Sequence, residues 1–457
     1  MNLKLILAAT ALAAMTLSSC SSDTPVDATQ NIARGETTWA TFNLSLPTDD
    51  GSRASNGDPN AELTEQQIKT LHIYIFSNGI LEIDEKITSG AAANKALGPV
   101  KLTTGEKVVY AVAGDLKVDG ATYTATVEKT RLSDFEGILF NALADDIAKS
   151  GNFLMAGNAE VTIVKSTEAD PCKVNVNVRR AATKTQLKYG DSKGNVTVRP
   201  TINADFSGAK FTMMQLAEKM WLTAGNYTPT GGESANGTYA GYTAVPETVA
   251  DNMFCNAVNT FDGKVANSRY TGEAYNEHPV TGNTTFALVR LKAAPKSVCT
   301  GYDTATGTYD LTGSLGSDGT FYVLAKHDAE TASYIFAADK EYNILYFSDE
   351  SVASNLITDA GFDESYEVFK YENGHTYYRV NLVTNPSAAA DGPDKYCALR
   401  NHFYKISVTD IKALGAPNAP GVVPTDPDQP LESDAWLATT ILIDPWTAVD
   451  MNNTTLQ

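Results

Sequence analysis

The chain has 457 residues, 35 of them basic and 54 acidic, for a formal net charge of −19 at neutral pH. A chain this acidic lacks the clustered Lys and Arg that hold nucleic-acid phosphates, and anionic lipid surfaces repel it. Apolar residues make up 43%, enough for packed cores, whereas charged residues are only 19% and Thr, Ser, Asn, Gly and Tyr abound, a mix that suits exposed β-sheet better than helical bundles.

Residues 1–20 read as an export signal. Lys4 precedes the apolar run Leu5–Leu17, which is too short to span a bilayer as a permanent helix. The run closes on Leu17-Ser18-Ser19-Cys20, which resembles the bacterial lipobox. That resemblance implies a lipoprotein: cleavage before Cys20 and a lipid anchor, palmitate included, on its thiol. Cys172, Cys255, Cys299 and Cys397 remain, none at CxxC spacing, and they leave open buried thiols or a disulfide pair.

Ser21–Thr37 is polar and aperiodic, a tether. Ala40, Phe42, Leu44 and Leu46 then alternate with polar residues, a period-two strand with one apolar face that Pro47 stops. Thr48–Asn60 is a loop of turn formers around Arg53. Strands are expected at Lys69–Phe76 and Ile80–Ile83, joined by an Asn78-Gly79 hairpin turn, and at Lys107–Ala113. Leu132–Lys149 carries helical spacing and a Ser133/Glu136 capping box, predicting one helix in the N-terminal domain. Strands resume at Phe153–Val164, at Cys172–Leu187, where Val174, Val176 and Val178 share a face, and at Lys210–Leu222.

Gly225–Gly241 is turn-rich and poor in apolar residues, which places a domain boundary near 225. Further strands are expected at Thr285–Lys292, Thr320–Ala325, Glu341–Phe347, Thr376–Leu382 and Phe403–Val408. The proline-rich Ala416–Pro430 is a semi-rigid spacer, and two β-prone runs follow it, Trp436–Ile443 and Trp446–Met451. Many short strands with few helices predict an all-β chain of two sandwiches.

The chain lacks the sequence signatures GxGxxG, GxxxxGK[ST], HExxH and the EF-hand loop. His278, His327, His375 and His402 are scattered, and the acidic turns at Asp303–Thr308 and Ser317–Gly319 read as solvated hairpins. No enzyme, cofactor or metal site is expected.

Several segments, in this order, resemble the Bacteroidales fimbrillins, subunits of type V pili. Asn43–Ala54 (NLSLPTDDGSRA) is similar to the maturation segment of the short-fimbria Mfa-type major subunit. Lys69–Ile80 (KTLHIYIFSNGI) and Asn175–Ala182 (NVNVRRAA) resemble N-terminal-domain blocks, and Tyr371–Leu382 (YENGHTYYRVNL) with Arg400–Ile406 resembles the C-terminal signature. The middle, about Gly225 to Tyr275, matches least.

The resemblance implies two transthyretin-like β-sandwiches in tandem, spanning 54–225 and 226–430, with a propeptide over 21–53 and a donor-strand tail over 431–457. It also implies a mechanism. The lipid-anchored precursor at the outer membrane is cut by an arginine-specific protease, a first strand leaves, and a neighbouring subunit's C-terminal strand fills the groove. The residues fit each role. Ala40, Phe42, Leu44 and Leu46 form the displaced strand. Cutting at Arg53-Ala54 would release it, whereas Arg34, the rival site, precedes the strand and would leave the groove filled. Leu437, Ile441 and Ile443 on the proximal run and Trp446, Val449 and Met451 on the distal run supply the donor. The expected product is a stalk subunit of an adhesive cell-surface fimbrium, with copies of itself and other fimbrial subunits as partners. The rival readings are a surface lipoprotein adhesin, or a tip or anchor subunit, binding a glycan or a host protein.

Overall fold

Period-two apolar patterning dictates most of the architecture, and strands account for nearly all of it. The computed structural model describes residues 35–45, 62–65, 67–88, 96–190, 197–198, 202–222, 241–337, 344–389, 391–431 and 437–445. The chain is mostly β, as expected, and among the described residues no helix is long and apolar enough to cross a membrane.

The N-terminal half contains β1 (Thr37–Ser45), β2 (Thr70–Ser77), β3 (Ile80–Thr88), β4 (Ala96–Thr103), β5 (Gly105–Ala113), α1 (Leu132–Glu136), β6 (Leu139–Asn141), α2 (Ala144–Ile147), β7 (Met155–Ile163), β8 (Cys172–Asn177) and β9 (Arg179–Arg180). They form a three-stranded sheet, β8-β1-β4, and a five-stranded sheet, β9-β7-β5-β2-β3. Phe42, Val174 and Val176 from the first sheet and Leu71, Ile73, Ile75 and Val109 from the second lie in one apolar core. At the β2–β3 turn Asn78 and Gly79 both adopt positive φ, 49° and 76°, as a two-residue hairpin requires. Strand β2 is buried on both faces because Phe135 of α1 covers its outer side, with ring centroids 4.7 Å from Tyr74 and 5.2 Å from Phe76.

The single helix expected over Leu132–Lys149 is divided. Helix α1 stops at Gly137, β6 follows and pairs with Lys219–Trp221, and α2 is one short turn. Ser133 lies inside α1 and caps nothing, since Arg131 stands at the cap without a side-chain bond. A strand arriving from far along the chain thus overrides local helical spacing.

The C-terminal half contains β10 (Thr183–Tyr189), β11 (Ile202–Met214), β12 (Lys219–Trp221), β13 (Arg269–Thr271), β14 (Phe286–Pro295), β15 (Phe321–Asp328), α3 (Glu350–Asp359), β16 (Glu367–Tyr371), β17 (His375–Asn381), β18 (His402–Ile411) and β19 (Leu437–Pro445). Strand β18 lies between β10, which is parallel to it, and β19, which is antiparallel. Strand β14 lies between β11 and β17, and β16 pairs with β15. Helix α3 had no sequence expectation, although Asp349 accepts the Ser351 amide at 2.7 Å, an ordinary N-cap.

The core changes over between Ala182 and Leu187, well before the expected boundary near 225. Cys172–Leu187, read as one strand, is three: β8 and β9 belong to the first half, and β10 pairs with β18 and β13 in the second. Met220 and Leu222 return to the first core, so the halves are stitched by chain crossing in both directions. The four described cysteines are free thiols, which closes the disulfide alternative.

A buried ion pair joins the halves. Lys184 of β10 meets Glu65 at 2.9 Å, both side chains fully buried. Tyr270 of β13 donates to Glu65 at 2.5 Å, Arg180 Nε donates to the Glu65 carbonyl at 3.1 Å, and Lys184 also donates to the Gly263 carbonyl. Removing one member of such a pair strands the other charge in a dry interior. Glu65→Gln is expected to cost about 3–5 kcal/mol, and Glu65→Leu with Lys184→Met to recover most of it. Chemical denaturation of the three proteins checks this.

Candidate functional site

The site is the groove that β1 fills. Along β1, Thr38, Ala40, Phe42 and Leu44 are buried while Thr37 and Ser45 are exposed, the alternation of a strand with one face on a core. Phe42 and Leu44 each contribute about 1.5–3 kcal/mol by leaving water. Leu46 lies outside the described residues.

Both backbone edges of β1 are paired. Ala40 to Ser45 run parallel to Cys172 to Asn177 of β8, and Val178 N donates to Ser45 O at 2.9 Å. On the other side Thr37 opposes Thr103 and Phe42 opposes Leu97 of β4. Neither β4 nor β8 has another ladder partner among the described residues, so β1 alone makes this sheet continuous.

The β4 wall is irregular where Ala40 faces Val100 but Phe42 faces Leu97, leaving Gly98 and Pro99 opposite Thr41. Gly98 has φ 127°, and a Cβ there would lie 2.8 Å from the Ala40 carbonyl, so only glycine lets this wall approach the strand so closely. At its far end β4 is clamped. Lys107, almost fully buried, donates to Glu82 at 2.6 Å, Thr103 Oγ1 at 2.7 Å and Ser77 Oγ at 2.8 Å, and Glu82 accepts the Thr103 amide at 2.8 Å. On the other side a Cβ on Gly157 of β7 would lie 1.8 Å from the Asn177 carbonyl, so β7 presses directly on the end of β8.

The geometry is that of a central strand in a framed trough, and the comparisons bear on it. Residues 40–199 match the family model of the major fimbrial subunit protein (FimA). Residues 369–452 match that of the major fimbrial subunit protein type IV, fimbrillin, C-terminal. Together they cover just over half of the chain. The chain belongs to the fimbrillin family.

A solved structure agrees on the fold. The fimbrillin FimA from Porphyromonas gingivalis matches with a TM-score of 0.50 at 16% identity, covering 91% of this chain and 99% of that one. A protein from Bacteroides eggerthii described as a candidate cell adhesion protein matches at 0.45 and 16% identity, covering 92% and 100%. The tip fimbrial protein Mfa3 from P. gingivalis matches at 0.42 and 12%, covering 90% and 100%. No curated protein sequence matches the chain. The fimbrillin family is one of structural subunits rather than enzymes, which places the chain in a cell-surface fimbrium among other fimbrial subunits.

In this fimbrillin the expected site residues are distributed unevenly. Ala40, Phe42 and Leu44 fill the groove as a set. Cys20, Arg34, Arg53, Ala54, Trp446, Val449 and Met451 lie outside the described residues. Arg53 and Ala54 belong to the stretch 46–61 that links β1 to the rest of the chain. Leu437, Ile441 and Ile443 are on β19, which pairs with the chain's own β18 in the register Leu437–Ile411 to Pro445–His402.

The sequence reading missed Thr38, Gly98, Lys107 and Ser166. Thr38 extends the period-two series toward the N-terminus, and Gly98-Pro99 inside an apolar stretch signals a bulged edge, so both were legible. Lys107 and Ser166 carry no local signal. Phe42→Ala is expected to destabilise the uncleaved chain by about 3–5 kcal/mol, and Thr41→Ala on the outer face by far less, as denaturant titration will show.

Proposed function

We propose that the chain is a fimbrial stalk subunit made as a lipoprotein precursor and polymerised by exchange of β1 for a neighbour's tail. The precursor is held at the outer membrane through lipid on Cys20, and an arginine-specific protease cuts after Arg53. The observation that carries this reading is the position of β1. It is central in its sheet, buried on one face, and joined to the rest of the fold only through the stretch containing Arg53.

Cutting there frees β1 without breaking any other described strand. Loss of β1 exposes two unpaired edges and an apolar trough, a template for an extended segment with one apolar face. The tail has such a face. Strand β19, held on β18, delivers Trp446–Leu456 as the distal run, in which Thr447, Val449 and Met451 share one side. Groove and tail are different surfaces, so the contact is head-to-tail and grows a filament instead of closing a ring. Such a filament would support adhesion to a host or bacterial surface.

Mass spectrometry of the mature protein should find Ala54 at the N-terminus. Arg53→Ala should accumulate lipidated, unassembled precursor; unchanged assembly would move the cut to Arg34 or elsewhere. Truncation after Pro445 retains β19 and removes the distal run, so folded, exported subunits that form no filaments are expected under the electron microscope. Normal filaments from that truncation would refute the donor assignment.

A further inference from the structure

We propose that the groove reads a hydroxyl at one end, and that in the filament Thr447 of the neighbouring copy supplies it. This rests on the strand-exchange reading above and adds to it a register, a direction and a selectivity.

Thr38 is a polar residue with 0% exposure, and its hydroxyl has dedicated partners. Its Oγ1 lies 3.0 Å from the Val164 carbonyl, accepts the Ser166 amide at 2.8 Å, and sits 2.8 Å from Ser166 Oγ. Ser166 Oγ in turn donates to the Trp39 carbonyl at 2.5 Å and receives the Trp39 amide at 3.2 Å. The segment just past β7 therefore binds a hydroxyl and the adjacent main chain together.

This arrangement discriminates only when the groove is full. Val164 is 59% exposed even with β1 in place, so in an empty groove its carbonyl and the Ser166 amide are free to bond water. A strand that enters covers them. A Thr or Ser restores the bonds, whereas a Val of the same shape buries an unpaired donor and acceptor.

From this end the inward series of β1 is Thr38, Ala40, Phe42, Leu44: a hydroxyl, then apolar side chains at every second residue. In Trp446–Gln457 only one hydroxyl residue is followed by apolar residues two and four places later: Thr447, before Val449 and Met451. Within that stretch Thr454 is followed two places later by Leu456, with no second apolar residue in the series, and Thr455 by the polar Gln457. Placing Thr447 on the hydroxyl site makes the donor run in the same sense as β1, parallel to β8 and antiparallel to β4.

The test uses the full chain cut at Arg53 and labelled peptides that displace β1: residues 445–457 as they stand, and with Thr447→Ser or Thr447→Val. Expected affinities are near-equal for Thr and Ser and roughly 5- to 150-fold weaker for Val. A peptide of residues 35–47 with Thr38→Val should lose the same factor, and Ser166→Ala should narrow the gap between the Thr and Val peptides. Tight, equal binding of the Thr and Val forms overturns the hydroxyl site and leaves strand exchange standing. Rebinding of 35–47 without binding of 445–457 overturns Thr447 as the occupant. If the cut chain stays folded and binds neither peptide, strand exchange itself falls.

Discussion

The structure depends on the main-chain pairing of β1. A strand at the centre of a sheet satisfies its own amides and carbonyls and one edge of each neighbour. Here the neighbours β4 and β8 have no other described ladder, so the three-stranded sheet exists through β1 alone. The same pairing that completes the fold makes it incomplete once β1 is gone, and both edges and the trough appear in one step. A subunit built this way is self-satisfied while β1 is in place, and on the proposed strand exchange it would offer both edges to another strand once β1 left.

An emptied trough is useful only if its walls hold their places, and the fold secures them by means other than β1. Lys107 ties the end of β4 to β2, β3 and β5 with each ammonium hydrogen assigned an acceptor. Strand β8 is pressed by β7 at Gly157 and continues into β9, which pairs with β7. Farther out, Lys184 with Glu65 holds the halves together, and Arg400, paired with Glu273 at 2.7 Å, donates to the carbonyls of Trp221 and Leu222 at 2.6 and 2.9 Å, where the chain returns to the first core. Fully partnered buried charges are directional, so they specify one arrangement more sharply than apolar contacts do. The chain's excess negative charge remains at the surface, where it keeps subunits soluble.

What could be read from residues in a row was local and periodic. The inward face of β1, the Asn78-Gly79 turn, the central strands β2, β5, β14, β17 and β18, and the β character of 437–445 all follow from alternation and turn chemistry. Reading failed where a distant partner decides. Leu139–Asn141 carries helical spacing but becomes a strand because Lys219–Trp221 arrives to pair with it. The run Cys172–Leu187 looks like one strand, yet it passes from one core to the other at Ala182–Thr183 because β10 finds β18 more than two hundred residues later.

Composition, periodicity and the order of motifs by themselves determined that this is an acidic, all-β chain with a first strand apolar on one face and a β-prone tail. They did so because burial of one strand face is written at every second residue. Only the tertiary structure decided that β1 lies between two otherwise unpaired walls, that Thr38 meets Val164 and Ser166 at one end, and that β19 folds onto its own β18. Those features arise from pairings between distant segments, and the identity of a strand's neighbour is a property of the whole packed chain that no local pattern records.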